Sequence, residues 1–100
     1  MSTEDIAKEV LEELNSAESK FAPFNSSHEG YAVLLEEVDE LWDVVKLNPK
    51  KISNPGWLMA AGDEDHYFKL QIDERKRMMR AEAIQVAAMA IRFIKCVCDD

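Results

Sequence analysis

Apolar residues recur every three or four positions along most of this chain, which is the spacing of amphipathic α-helices. The pattern predicts three helices, over about residues 3–18, 27–47 and 65–97, with residues 48–63 as the one long irregular segment. Three glycines and three prolines leave little sequence for tight turns. The sequence therefore predicts a single all-α domain over residues 1–100, built as a helical hairpin or bundle of three main helices.

Capping and breaking residues indicate where the first two helices meet. Ser26 and Glu29 have the spacing of a capping box, in which the hydroxyl caps the helix and the carboxylate three residues later reaches back to the cap. Pro23 disfavours helix between the first two helices. Phe21 and Phe24 stand on either side of this proline, and we expect them to pack the link against the core.

The third predicted helix is apolar almost all round from Met78 to Val97. A helix with this pattern is buried on most of its sides. Two shorter helices from a 100-residue chain cannot easily surround it. We therefore expect a homodimer or homotetramer built on this helix, in which oligomerisation completes a four-helix-bundle core.

The chain is acidic, with 20 Asp and Glu residues against 12 Lys and Arg residues and a formal net charge of −8. This excess argues against non-specific binding of nucleic acid, which needs a basic surface. It still permits an anionic small molecule, because metal ions between an acidic site and phosphates reverse the local charge. Glu9, Glu12 and Glu13 of the first helix are expected on a solvated face.

Several features favour a cytoplasmic protein without a membrane partner. No apolar run approaches the roughly 20 residues that a membrane-spanning helix needs. Residues Met1 to Asp5 are acidic and polar, unlike a signal peptide. Cys96 and Cys98 lie two positions apart, which provides neither a disulfide framework nor a four-ligand zinc site. We expect both thiols to remain reduced.

Two helices carry acids where apolar side chains are expected. At about 100° per residue, Glu37 projects within some 40° of Leu41, and Glu40 projects close to Val33. Glu82 lies in the middle of the apolar stripe of the third helix. An unpaired buried charge is costly, so these acids need a partner. That partner is either a divalent metal ion or a Lys or Arg from a neighbouring helix.

Acids at positions i and i+3 lie side by side on a helix and can hold one metal ion between them. Two such helices packed antiparallel would form a cage of oxygen ligands. Oxygen-only ligation suits Mg²⁺ or Mn²⁺ and does not suit zinc or copper. A metal-bound water is also an accessible nucleophile.

These acids give the chain a resemblance to the all-α nucleoside triphosphate pyrophosphohydrolases of the MazG type, which are related to the dimeric dUTPases. Glu36-Glu37-Val38-Asp39-Glu40 matches the Glu-Glu-x-x-Glu motif of that family. Glu82-Ala83-Ile84-Gln85 matches its Glu-x-x-Asp motif except at Gln85, where the family has Asp. The resemblance covers roughly residues 28–95, and the connection between its two motifs is longer than is usual in the family.

The resemblance implies hydrolysis of a nucleoside triphosphate to the monophosphate and pyrophosphate, as part of the house-cleaning of nucleotide pools. Magnesium ions would be held by Glu37, Glu40 and Glu82. The implied catalytic residues are Glu36 and Glu37. Glu36 would either ligate a magnesium ion as well or orient the attacking water. Gln85 would be either a weak metal ligand or a residue that contacts the metal ligands and not the metal itself.

Basic and aromatic residues are the candidate substrate contacts. Arg92, Lys46 or Arg75 could face the phosphates, and Lys50 and Lys51 could reach one or be solubilising charges. Trp57, in a segment that could form one helical turn, could cover a nucleotide base or pack on the core.

Two hypotheses in which the protein is not an enzyme also fit the sequence. In the first, the protein is a helical oligomer in which Glu37 and Glu82 pair with Arg75, Arg80 or Arg92 across an interface. In the second, it is an interaction module that binds nucleotide without turnover, because Gln85 replaces a carboxylate.

Overall fold

The computed structural model describes the backbone of residues 2–46 and 64–99, and the side chains of those residues except 64–72. The predictions made for residues 48–63, including the irregular segment, its helical turn and the roles of Trp57, Lys50 and Lys51, lie outside the described residues.

The described parts of the chain are helical and contain no strand, which confirms the all-α prediction. The third helix continues directly into a π-helical turn, closed by a 2.9 Å hydrogen bond from the Asp99 amide to the Ile94 carbonyl. The elements are α1 (Thr3–Lys20), α2 (Ser27–Val45), α3 (Glu64–Phe93) and the π-helical turn (Ile94–Cys98). The predicted starts of α1 and α2 agree with the structure, and the other predicted ends differ by one to four residues, as expected for boundaries predicted from periodicity.

Side-chain caps begin the first two helices. Ser2 and Asp5 form a reciprocal capping box at the start of α1. At the start of α2, the Glu29 amide donates to the Ser26 hydroxyl at 3.1 Å, as predicted. The Glu29 carboxylate does not return to Ser26. It accepts instead from the backbone and side-chain amides of Asn25, at 3.3 and 3.0 Å, so the second half of the predicted box was wrong. Asn25 offers two donors where the Ser26 backbone offers one.

The core forms where α1 and α2 pack on α3. Burial of apolar side chains at this junction is the main force that holds the three helices together. Its buried members are Val10, Leu14 and Ala17 of α1 with Ala88 and Met89 of α3, and partly buried side chains packed around them are Val33, Leu34, Ile84, Ala87 and Ile91.

Gly30 allows α2 to approach the C-terminal end of α3 closely. A Cβ atom at this position would lie 2.8 Å from Cδ2 of Phe93 and 3.0 Å from Cδ2 of Phe24. Both distances are shorter than carbon atoms tolerate without a shift in packing. The glycine is therefore required by the two aromatic rings that press against it.

The link between α1 and α2 packs through only one of its two phenylalanines. Phe24 is buried, as predicted, and its ring lies under the Arg92 guanidinium. Phe21 is 62% exposed, so the prediction that it packs on the core was wrong. Its backbone is already extended as it leaves α1, with φ −125° and ψ 142°. The centre of its ring lies 5.9 Å from Cζ of Arg92.

Much of the apolar surface remains uncovered in a single chain. Tyr31, Leu35, Val38 and Trp42 form a stripe on α2 and are between 41% and 61% exposed. Along α3, most described side chains after Met78 are only half-buried, although the sequence predicts burial on most sides. None of the helices in the described parts of the chain combines the length and apolar character that a membrane crossing requires. Cys96 and Cys98 are free thiols.

Candidate metal centre

Three carboxylates from two helices meet between α2 and α3. Glu37 and Glu40 lie one turn apart on α2, so they share a face, and Glu82 comes from α3. One carboxylate oxygen from each of the three lies within 4.8 Å of the others. Helical spacing alone accounts for the first pair, and the packing of α3 on α2 adds the third acid.

The environment of these acids disfavours their charged forms. Burial raises the pKa of Glu37 to about 7, with further contributions from the negative charges of Glu40 and Glu82. Burial also raises the pKa of Glu82, and the Glu40 charge adds to that effect. One oxygen of Glu82, Oε2, is buried and has no hydrogen-bond partner. A cation placed among the three acids would offset both the repulsion and the missing partner.

Glu36 and Gln85, the other two residues predicted to ligate metal or to act in catalysis, lie beside this cluster. Both line the same cleft as Glu37, a space of about 500 Å³ between the C-terminal half of α1, the link and the facing sides of α2 and α3. Glu36 is exposed and Gln85 is half-buried, one turn along α3 from Glu82. Gln85 can offer a neutral carbonyl oxygen to a ligand in the cleft.

The arginines considered as ion-pair partners are engaged elsewhere. Arg75 donates to the Val45 carbonyl at the end of α2, at 2.5 Å, and Arg80 forms an ion pair with Glu9 of α1. Among the described residues, no ion pair joins Glu37, Glu40 or Glu82 to a basic side chain. Within the described part of one chain, these acids are therefore not paired with a basic side chain, and their pairing with an arginine across an interface between copies stays a prediction.

Arg92 lines the cleft but is buried and held by its neighbours. Its guanidinium donates to the Ala22 carbonyl at 2.5 Å and lies 4.2 Å from the centre of the Phe24 ring. These contacts fasten the link to α3. A predicted phosphate-facing residue thus has a clear structural role in the described chain.

Lys46, another predicted substrate contact, stands at the C-terminal end of α2. Its ammonium group lies 3.9 Å from an Asp43 carboxylate oxygen and 5.5 Å from the centre of the Trp42 ring. It is nine residues beyond Glu37, which on a helix is the opposite side at about 100° per residue. The structure does not bring Lys46 to the three acids.

Glu13 is a cleft residue that the sequence analysis placed on a solvated face. The structure half-buries it in the wall of the same cleft that holds Glu36 and Glu37. A signal was present in the sequence, since Glu13 follows the buried Val10 by three positions and precedes the buried Ala17 by four.

Comparisons with protein-family models, with curated proteins and with solved structures found no match to this chain.

Proposed function

We propose that this protein is a metal-dependent nucleoside triphosphate pyrophosphohydrolase that releases pyrophosphate and a nucleoside monophosphate. The observation that carries the proposal is the convergence of Glu37, Glu40 and Glu82 from two helices. Acids this close together repel one another, and one oxygen of Glu82 is buried without a hydrogen-bond partner. A cation bound among them would offset both costs. The Glu-Glu-x-x-Glu motif on α2, and the Glu-x-x-Asp motif on α3 that is matched except at Gln85, support the assignment to this reaction class.

The donor set fits a hard divalent cation. Glu37, Glu40 and Glu82 offer only carboxylate oxygens, which suit Mg²⁺ or Mn²⁺. Gln85 would either bind the metal weakly through its carbonyl oxygen or contact the ligating carboxylates instead of the metal. When bound, Mg²⁺ would neutralise the charge of the triphosphate and make a water molecule more acidic.

In the proposed reaction, an oxygen of water attacks the α-phosphorus, and the bond from that phosphorus to the bridging oxygen breaks, so that pyrophosphate leaves. Glu36 would orient the water and accept its proton, since it lies next to Glu37 and opens onto the cleft. Glu37, Glu40 and Glu82 would hold the phosphates through the cation. Catalysis would come chiefly from positioning and charge neutralisation, as in phosphoryl transfer generally.

We further propose that the active form is a cytoplasmic homodimer or homotetramer, in which a second copy completes a four-helix bundle. The exposed stripe of Tyr31, Leu35, Val38 and Trp42 supports this, because aromatic and aliphatic side chains in one contiguous stripe are costly to leave in water. Their spacing of four, three and four residues is that of a helix–helix seam.

A non-catalytic nucleotide-binding or protein-interaction module is the second candidate, favoured by Gln85 alone. A neutral amide in place of a carboxylate weakens magnesium binding and could leave binding without turnover. The Gln85→Asp variant addresses this directly, because it restores the carboxylate of the motif. Turnover that appears only in this variant, together with nucleotide binding by the parent, would favour the binding module over the enzyme.

The test is pyrophosphate release from a panel of nucleoside triphosphates, with Mg²⁺, with Mn²⁺ and with chelator. We expect metal-dependent release that Glu37→Gln and Glu82→Gln abolish. Asp39→Asn is the matched control, because it removes one charge from an exposed position on α2 and should retain activity. Absence of metal-dependent release from every nucleotide in the parent would refute the proposed enzyme, whatever Gln85→Asp does.

A further inference from the structure

Part of the cleft beside the three acids is lined by residues of α1 and the link, none of which is proposed to bind the metal. The volume of the cleft, about 500 Å³, falls within the range of small-molecule sites. Glu36 and Glu37 form one part of its lining, and the link between α1 and α2 forms another. A ligand held at Glu37 by its phosphates would therefore place its remaining atoms against α1 and the link.

Glu13 is the carboxylate on α1 that faces this space without a partner. Among the described residues, no hydrogen bond or ion pair engages it, although Glu9 and Glu18 on the same helix pair with Arg80 and Lys95. Glu13 is half-buried and lines the cleft. The Glu13 carboxylate therefore keeps its acceptor capacity, and a ligand in the cleft that supplies one or two N–H groups would find a charged acceptor here.

An aromatic ring stands on the same wall. Phe21 lines the cleft and keeps 62% of its surface exposed, in contrast to the buried Phe24. An exposed phenyl ring offers a flat apolar face on which a planar base can stack. Apart from Glu37 of the acid cluster, the other charged groups of the lining are either bonded, as Arg92 and Glu29 are, or exposed, as Lys20 and Glu36 are.

We propose that this cleft receives a nucleobase that bears an exocyclic amino group, with Phe21 as the stacking surface and Glu13 as the hydrogen-bond acceptor. The proposal rests on the proposed function, because the Glu37 cluster would hold the phosphates of the same nucleotide. A carboxylate only accepts hydrogen bonds, so it attracts the amino group of cytosine or adenine and repels the carbonyl oxygen that replaces it in uracil or hypoxanthine. Glu13 is then the residue that determines base specificity.

The test compares ligands that differ only at this group, namely cytidine with uridine and adenosine with inosine. Binding is titrated by saturation-transfer NMR in chelator, where neither metal nor turnover contributes. We expect the parent to bind cytidine about tenfold more tightly than uridine, the discrimination that one hydrogen bond to a charged acceptor provides. Glu13→Gln should bind both alike, because an amide both donates and accepts.

Two variants provide matched comparisons. Glu12→Gln makes the same change at the neighbouring exposed position, outside this cleft, and should keep the parental preference. Phe21→Ala should weaken the binding of all four nucleosides without changing the ratios of their dissociation constants. A urea midpoint equal to the parent's shows that Glu13→Gln remains folded.

The two proposals fail in different ways. Equal binding of cytidine and uridine by the parent, an unchanged preference in Glu13→Gln, or no binding of any nucleoside would overturn the role of Glu13. If pyrophosphate release is metal-dependent but indifferent to the amino group, the enzyme stands and the inference fails. If amino-bearing nucleosides bind through Glu13 but no triphosphate is hydrolysed, the inference stands and the enzyme fails.

Discussion

Replacing Glu37 with Gln removes one charge from the cluster of three acids. One carboxylate oxygen from each of these acids lies within 4.8 Å of the others. Two unit charges at that distance repel by about 1 kcal/mol in water and by about 3.5 kcal/mol at an effective dielectric constant near 20. Glu40 is exposed, and solvent and salt screen it, so the lower figure applies best. We expect Glu37→Gln to stabilise the metal-free protein at pH 8 by about 1–2 kcal/mol, which raises the melting temperature by several degrees.

The pH dependence has a definite sign. The folded pKa of Glu37, about 7, lies above the ordinary glutamate value of 4.5, so the folded state binds this proton more tightly than the unfolded state does. The resulting stabilisation is fully present below pH 4.5 and is lost as the pH rises through 7. The parent in chelator should therefore lose stability across this interval. Glu37→Gln should lose less, and its advantage over the parent should disappear near pH 5.

Magnesium should reverse the ranking at pH 8. A ligand at 100 times its dissociation constant stabilises the folded state by about 2.7 kcal/mol, and the parent should gain while Glu37→Gln gains much less. Urea unfolding at pH 5 and pH 8, with magnesium and with chelator, measures all of these differences, with Asp39→Asn as the control for a generic loss of charge on α2. The reasoning is refuted if Glu37→Gln is destabilised in chelator at pH 8, as loss of an ion-pair partner would predict, or if magnesium stabilises parent and variant equally.

Three further substitutions test the packing around the site by urea unfolding. Gly30→Ala should cost about 1–3 kcal/mol, because the new methyl group meets the ring of Phe93 at 2.8 Å and this outweighs a gain of about 1 kcal/mol in helix propensity; an unchanged midpoint would contradict that. Arg92→Met should cost about 1–3 kcal/mol, since the Ala22 carbonyl loses its donor and the Phe24 ring loses its cation. Parental stability with weaker nucleotide binding would place Arg92 at the phosphates instead. Ser26→Ala should cost about 1 kcal/mol through loss of the cap on α2, and a parental midpoint would count against that cap.

Within the described residues, the helices themselves could be predicted from the sequence because they depend on local interactions. The apolar repeat and the caps at Ser2 and Ser26 involve groups at most four residues apart. The pairing of Glu37 with Glu40 follows from the same local geometry, since residues three apart share a helix face. The apolar surroundings of Glu82 on its own helix were equally readable.

Tertiary packing decided how those faces combine. It brought Glu82 to the two acids of α2, turned Glu13 into the cleft wall and engaged Arg92 with the link rather than with the three acids. Each of these outcomes joins residues far apart in the sequence, and helical periodicity carries no information about which face of one helix meets which face of another. The sequence by itself thus determined which residues share a helix face, whereas the packing of α1 and α2 on α3 decided which faces meet.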